Sequence, residues 1–442
     1  MSARGFAGGV HPPDSKELTR DKSIELLSLP ERVVIPLHQH IGAPSVALVE
    51  VGAHVKKGQV IASARGYVSS PIHASISGEV KAIKEFPHPS GKDMMAIEIV
   101  SDGKDEWAED LEEEQDVTKL SAQDIRGKVL SAGIVGLGGA AFPTHVKLAP
   151  PDGKKIEAVI LNGAECEPYL TADHRLMVED ADSIIEGLKL LMKVLGVNKG
   201  YIGIEDNKPE AVTAMMTAAS GTDIEVMSLH VKYPQGAEKQ LIKAVIGKEV
   251  PPGGLPMDVG VVVQNVGTAA AVYDAVRYGR PLIERITTVT GLGVKEPKNF
   301  KVRIGTLSGE LIDAAGGFTE NIGKIIMGGP MMGGGVYTTD VPVVKGTSGI
   351  LVMKMDEIRN RESHPCIRCG RCAAVCPMYL EPGAMGIFSE REMLEEVEDY
   401  FVMDCIECGC CSYTCPSDRP LVQLFRFAKA GIIKKRQKEG DN

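Results

Sequence analysis

Eight of the ten cysteines in this 442-residue chain fall into one pattern, written twice. Cys366, Cys369, Cys372 and Cys376 read C-x-x-C-x-x-C-x-x-x-C before Pro377. Cys405, Cys408, Cys411 and Cys415 repeat it before Pro416. This spacing ligates cubane 4Fe–4S clusters, the fourth cysteine of each run usually serving the other cluster. Three thiolates two residues apart wrap one cluster in a tight loop. The x-x-x-C-P step then carries the chain towards a second one. The expected ligand sets are therefore Cys366, Cys369, Cys372 with Cys415, and Cys405, Cys408, Cys411 with Cys376. Cys410 breaks the spacing and stays outside both sets. A chain built this way moves single electrons.

Structural zinc and disulfides are the competing readings. Zinc sites usually show two C-x-x-C pairs rather than three cysteines plus one with a trailing proline. Disulfide frameworks suit short secreted chains, and the start Met1-Ser-Ala-Arg-Gly has no apolar signal-peptide core. The two runs are offset by 39 residues. Their insert, from Pro382 to Met403, holds Phe388-Ser-Glu-Arg-Glu-Met-Leu-Glu-Glu-Val-Glu, which looks helical. A helical two-cluster module is expected, not a compact β-hairpin ferredoxin.

The length requires several domains. Hydrophobic content of 43% and charged content of 24% are those of a globular protein. A net charge of −10 argues against nucleic acid as the main partner. No stretch approaches the roughly 20 uninterrupted apolar residues of a membrane span. The expected compartment is the cytoplasm, where thiols stay reduced, with docking on a membrane complex left open.

The expected fold class is multidomain α/β plus β. Residues 1–101, rich in Gly, Pro and β-branched types, read as all-β, with Gly52 and Gly58 at turns between short strands. This segment resembles the barrel-sandwich fold of biotinyl and lipoyl carriers. The stretch Gly66-Tyr-Val-Ser-Ser-Pro-Ile-His-Ala has no lysine where those carriers are modified, which favours docking over a swinging arm. Residues 102–120 read as an acidic linker with the Glu112-Glu-Glu-Gln-Asp run and Trp107 as an anchor. Residues 121–282 alternate helix and strand, with Ser121 and Asp124 as a capping signal and a helix that stops at Gly196. They form a Rossmann-like α/β layer domain. A small β-rich domain spans 283–335. Residues 355–442 hold the cysteine runs, and the tail from Leu421 is an amphipathic terminal helix. It either packs on the cluster module or meets a partner or lipid headgroups.

A second informative stretch is Gly136-Leu-Gly-Gly-Ala-Ala-Phe-Pro-Thr-His-Val-Lys. Its glycines allow close backbone approach and Pro143 can open a helix. A helix start after a glycine loop suits an anion, and Lys147 adds charge; the alternative is a plain tight turn. Asn162-Gly-Ala-Glu-Cys-Glu-Pro follows the strand Ile156–Leu161, where open α/β sheets bind ligands. Cys166, between Glu165 and Glu167, is either an apolar filler or a redox group. Acidic neighbours raise its pKa and disfavour a reactive thiolate.

The Gly136–Lys147 loop and the Asn162–Pro168 turn resemble the flavin-binding subunit of respiratory NADH dehydrogenase. So do Tyr233-Pro-Gln-Gly-Ala-Glu-Lys-Gln-Leu and Gln264-Asn-Val-Gly-Thr. The segment after Arg285 is similar to its β-grasp domain of the soluble-ligand-binding type. The order of the whole chain resembles the RnfC family of Rnf/Rsx electron transport complexes. Phe6-Ala-Gly-Gly-Val-His-Pro-Pro, Pro36-Leu-His-Gln-His-Ile-Gly-Ala-Pro and Phe86-Pro-His-Pro-Ser-Gly look like that family's N-terminal signatures. The resemblance implies two 4Fe–4S clusters, non-covalent FMN and NAD(H) as substrate. It implies a peripheral subunit on the cytoplasmic face of an ion-pumping membrane complex, with ferredoxin as the distant, indirect partner. It implies that Gly136, Gly138, Gly139 and Lys147 cradle FMN, with Asn162, Glu165, Asn265 and Thr268 alongside. Phe142, Glu167 and Glu238 would face the nicotinamide nucleotide, the two glutamates as catalytic groups. Leu137, Ala164 and Ala237 depart from the dehydrogenase pattern, which has arginine, aspartate and glutamate there.

The implied activity is hydride exchange between NAD(H) and FMN, followed by single-electron transfer through the clusters, coupled in the complex to Na⁺ or H⁺ movement. Two rivals remain at this point. One is a soluble flavin/iron–sulfur reductase, such as a cobalamin reductase or a proline-reductase-associated carrier. The other is a cluster scaffold without flavin.

Overall fold

The computed structural model describes residues 5–108, 115–358 and 362–440. Glu112, Glu113 and Glu114 of the expected linker run, and the first four residues of the chain, lie outside them.

The described residues form four sheets. Two belong to the N-terminal part. One orders Arg32–Pro36, Asp93–Ser101, Gly78–Pro87 and His54–Val55; the other orders Val46–Ala47, Val60–Ser63 and Ile72–His73. They close over Val33, Ile35, Ile61, Ile72, Ile76, Val80, Ile97 and Ile99, all at most 1% exposed. Strands this short become stable only by sharing one apolar interior between two sheets.

The first segment is not β throughout. Before Arg32 the chain runs as an arm over other parts of the molecule. Val10 forms an antiparallel bridge with Tyr233, Gly9 N–H donates to Val375 O, and Ile24–Leu26 pairs parallel with Lys298–Arg303. The arm can lie this close because Gly8 has no side chain: a Cβ there would stand 2.8 Å from Cys376 O. Periodicity cannot find such a segment, because its partners lie hundreds of residues away.

The central layer is a parallel four-stranded sheet ordered Ile224–Leu229, Gly200–Glu205, Ala158–Asn162, Val261–Asn265. Three of its strands are buried on both faces, as crossover helices require, while the edge strand Ile224–Leu229 exposes Glu225 and Ser228. Ala181–Leu195 and Val266–Tyr278 pack together on one face and Glu238–Ile246 covers the other. Gly187 sets the close crossing of the first pair: a Cβ there would lie 1.9 Å from Ala269 O. The capping signal at Ser121 forms as a full reciprocal box with Asp124. The third strand-rich unit is a six-stranded mixed sheet around Val289, Leu311, Ile312, Val341, Ile350 and Val352. It borrows Ile24–Leu26 from the arm at one edge and includes Gly349–Lys354 in its middle.

The C-terminal part is helical. The insert between the cysteine runs is two helices, Pro382–Glu390 and Leu394–Asp399, not one; Glu392 between them has a positive φ of 56°. Both pack on the terminal helix Leu421–Gly440 through Met385, Val397, Leu421 and Phe425. Trp107 anchors the linker start as expected, with the Lys57 ammonium 4.5 Å from its ring centre.

Candidate functional site

Order in the parallel sheet reverses at Ala158–Asn162. The chain moves one way from it to Gly200–Glu205 and Ile224–Leu229, then returns to the other side as Val261–Asn265. Ligands bind open α/β sheets at the carboxyl ends of the strands beside such a reversal. The last residues of the two flanking strands, Asn162 and Asn265, are register partners there.

The glycine loop closes over this point. Val135 and Pro143 bridge its base, and Gly136 N–H donates to Phe142 O at 2.9 Å. Leu137 N–H donates to the buried Thr268 hydroxyl at 2.9 Å, and Arg285 donates to Leu137 O at 2.5 Å. Asn265 caps the thirteen-residue helix Val266–Tyr278, accepting from Gly267 N–H at 2.8 Å, and its amide donates to Asp173 at 2.6 Å. Gly138 and Gly139 are exposed. A Cβ on Gly138 would come within 3.4 Å of the Asn265 amide nitrogen, and Gly139 has φ 65°. The loop thus presents bare backbone beside a helix N-terminus, a cradle that suits the phosphate end and flat ring of a flavin nucleotide. Lys147 stands at the far edge, donating to Glu238 at 2.8 Å and to Val263 O at 3.0 Å.

The sequence-derived residues separate into two groups. Gly136, Gly138, Gly139, Asn265 and Thr268 share one wall. Asn162 holds the floor, accepting from Ala164 N–H and donating to Gly236 O. Phe142 is half-buried at the loop's end. Glu165 turns away: both its oxygens accept backbone N–H groups, of Asp173 at 2.8 Å and His174 at 3.1 Å, at the start of helix Ala172–Glu179. Glu167 also points elsewhere, accepting from Met331 N–H at 3.1 Å. Burial pushes its carboxyl up to about 7, against the N–H groups of Met331 and Met332 and the charge of Lys16. Cys166 is half-buried and its pKa is raised, first by desolvation and then by Glu205, so it is no thiolate nucleophile.

Sequence reading missed the ions beneath the crevice. Lys208 is fully buried and donates to Ala164 O, Glu205 and Asn207. Lys16, from the arm, donates to Glu167 O at 2.9 Å and Leu170 O at 2.5 Å. Asp173 is raised to about 6 by burial and then by Glu165. Lone charged residues in unpatterned segments carry no signal of burial, except that Lys208 precedes the helix-opening Pro209.

Glu167 gives a pH prediction. Its folded pKa, about 7, lies above the ordinary carboxyl value. The protonated form is therefore the one the fold favours. Its contribution, on the order of 3 kcal/mol, is complete below about pH 4 and is lost as pH rises through 7. The variant Glu167→Gln should flatten the decline of melting temperature between pH 5 and 8. An unchanged slope would show that the carboxyl is not held neutral.

The two cysteine runs fold alike. Arg368 and Glu407 share a positive φ (55° and 56°), as do Gly370 and Gly409, and Tyr379 and Asp418. Arg368 N–H donates to Cys366 Sγ and Glu407 N–H to Cys405 Sγ, each at 3.4 Å. A short helix follows each loop, Arg371–Ala374 and Cys410–Thr414. Cys376 lines one cavity with Cys405, Cys408 and Cys411, floored by Met385, Val422 and Phe425. Beside the first run, His364 N–H pairs with Ser417 O, which brings the Cys366 loop next to the chain after Cys415. All ten cysteines are free thiols. A soft cluster fits such a cavity, ringed by sulfur and otherwise apolar.

Family models match in chain order. The RnfC barrel sandwich hybrid domain covers 4–104, the Nuo51 FMN-binding domain 129–274, the SLBB domain 286–333 and a 4Fe-4S dicluster domain 358–416. The chain therefore carries flavin-binding and dicluster domains. An NAD⁺-reducing [NiFe]-hydrogenase in the H₂-reduced state shares the fold over 72% of this chain and 64% of its own, at 20% identity and a TM-score of 0.50. The C subunit of the proton-translocating ferredoxin:NAD(+) oxidoreductase complex of Clostridium ljungdahlii is 52% identical over 97% of this chain and 94% of its own. Its Na(+)-translocating counterpart from Acetobacterium woodii is 50% identical over 98% of both. The C subunit of the ion-translocating oxidoreductase complex of Rhodobacter capsulatus is 44% identical over 99% of this chain and 85% of its own. With four domain models in this order and such identity over nearly its whole length, the chain belongs to the RnfC family, the C subunits of ion-translocating oxidoreductase complexes.

Proposed function

We propose that this chain is the peripheral electron-transfer subunit of a ferredoxin:NAD oxidoreductase complex, exchanging electrons between NAD(H) and two 4Fe–4S clusters by way of FMN. The observation that carries the reading is the cradle at the sheet reversal, open at Gly138 and Gly139 and joined through Tyr233 and Met331 to the second cysteine run. Tyr233 donates its hydroxyl to Cys408 O, and Met331, held by Glu167, lies where a Cβ on Gly409 would touch it.

When bound, FMN would accept a hydride from NADH and give up the two electrons singly, the conversion that one-electron clusters need. The backbone of Gly136, Gly138 and Gly139, with Asn265 and Thr268 behind them, would hold it at the mouth of helix Val266–Tyr278. Lys147 would supply positive charge, at the cost of loosening its pair with Glu238. Glu238, the first residue of its helix and partly exposed, would meet the nucleotide. Glu167, neutral near pH 7 by burial, would act from the opposite side, between the crevice and the clusters. Cys366, Cys369, Cys372 and Cys415 would hold one cluster, and Cys405, Cys408, Cys411 and Cys376 the other. Among the described residues no helix is long and apolar enough to cross a membrane. Ion movement would therefore belong to other subunits, with this chain docked at the cytoplasmic face and ferredoxin reached indirectly.

The test is anaerobic purification and titration with NADH, followed optically and by EPR. The flavin band near 450 nm (roughly) should bleach before reduced-cluster signals grow. Protein that holds iron but no flavin would leave only the scaffold reading.

A further inference from the structure

The buried side of the glycine loop rests on a turn that none of the matched domains contains. Val344 to Thr347 lies between the SLBB match, 286–333, and the dicluster match, 358–416. Thr347 closes the turn: its N–H donates to Val344 O at 2.9 Å, and its hydroxyl accepts from Val344 N–H at 3.0 Å. Lys345, 1% exposed, donates its ammonium to Gly133 O at 2.8 Å and to Pro71 O at 2.9 Å. Only glycine allows this approach at 133: a Cβ there would lie 2.9 Å from Lys345 Nζ and 2.6 Å from Pro71 O, at a φ of 68°. Arg285, also buried, spans from the turn to the loop, donating to Thr347 O at 2.9 Å and to Leu137 O at 2.5 Å. Ile41 N–H, from the barrel-sandwich unit, donates to Ala140 O at 3.3 Å. The loop is thus tied down at Gly133, Leu137 and Ala140, while Gly138 and Gly139 stay exposed.

We infer that Lys345 and Arg285 are positioning residues for the flavin, clamping the glycine loop from behind in the shape that accepts FMN. The inference rests on the flavin reading above. A loop of bare glycine backbone has many conformations to lose when a ligand orders it. Fixing it beforehand removes that cost from binding. Lys345 is suited to the task. Burial alone lowers its pKa, to about 7, so its charge is kept out of water at a penalty. A methionine of the same length would fill the space without that penalty. What the ammonium adds is direction: it donates to two carbonyls at once, one on the barrel-sandwich hairpin and one at the loop's entry. Arg285 does the same between Thr347 and Leu137. The barrel-sandwich and β-grasp units are therefore parts of the flavin site, although neither lines the cradle. Cutting the clamp should weaken FMN binding without altering any group in the cradle itself.

The test uses the full chain, stripped of flavin and titrated with FMN by fluorescence, in the variants Lys345→Met, Arg285→Met and Ser75→Ala. Ser75 is the control. Its buried hydroxyl donates to Ile304 O at 2.5 Å, joining the same two units without reaching the loop. Lys345→Met and Arg285→Met should each weaken FMN about tenfold, with iron content unchanged. Ser75→Ala should lower the melting temperature and leave FMN affinity alone. Amide exchange in the flavin-free protein gives a second readout. In Lys345→Met it should quicken at Gly136 and Leu137, whose N–H groups bond within the loop and to Thr268, and not in the strand Gly200–Glu205. If Lys345→Met does not fold, Arg285→Met decides through Leu137 alone. Unchanged affinity in the folded clamp variants, or an equal loss in Ser75→Ala, would overturn the inference. Unmodified protein that binds no FMN would overturn the flavin reading itself, before any variant is compared.

Discussion

Replacing Cys408 with alanine should remove one of two clusters and half of the bound iron, and leave the other cluster's EPR signal intact. Cys376→Ala should remove the same signal, although 32 residues separate the two positions, because both line one cavity. Cys369→Ala and Cys415→Ala should both remove the other. The effect is large because a cubane with three protein thiolates keeps an open iron corner that exchanges and degrades. The cluster at Cys408 is also part of the module's interior. Cys405 and Cys411 pack with Met385, Val422 and Phe425, and burial raises the free Cys405 thiol to about 11. Without iron, that cavity would hold uncharged thiols around a void. Binding energy here is folding energy, so amide exchange in helix Leu421–Gly440 should quicken in Cys408→Ala and Cys376→Ala. Loss of different signals in these two variants would refute the crossed pairing.

The doubled cysteine spacing is legible in the sequence because cluster ligation demands a fixed local interval, and local intervals are what a sequence records. The glycine loop is legible for the same reason, as are the helix stop at Gly196 and the box at Ser121. What escapes are contacts made by residues far apart. Lys16 and Tyr233 sit in segments with no periodic pattern. Their partners, Leu170 and Cys408, lie 154 and 175 positions away. Glu165 and Glu167 show the limit of carrying roles by resemblance. The turn that contains them is placed at the sheet's edge as expected, yet Glu165 spends both oxygens on a helix start. Glu167 looks towards Met331. A motif states which backbone reaches a site; which side chains face it depends on the elements packed around it. The helical reading of Phe388 to Glu398 holds except at Glu392, whose φ of 56° splits it in two, a backbone choice that amphipathic pattern does not show.

Gly138→Val should abolish most flavin binding, weakening it about 10- to 100-fold, while the protein stays folded with both clusters. Gly138 is exposed, and its φ lies outside the left-handed region, so a side chain strains no backbone there. Its Cβ, however, would already stand 3.4 Å from the Asn265 amide nitrogen and 3.6 Å from Asn265 Cβ and Cγ. Valine's two further carbons must then point either at Asn265 or into the cradle. Asn265 cannot yield, since it is tied to Gly267 N–H and to Asp173; the cradle is what fills. Forcing a ligand against added methyl groups costs about 1–3 kcal/mol, which sets the range. Gly139→Ala is the control. Nothing lies within 4 Å of its Cβ, but its φ of 65° is left-handed. It should cost about 1–2 kcal/mol of stability and far less affinity. Fluorescence titration with FMN, beside melting curves, separates the two. If Gly139→Ala lost the flavin and Gly138→Val kept it, the flavin would lie against the other side of the loop, away from Asn265 and the mouth of helix Val266–Tyr278.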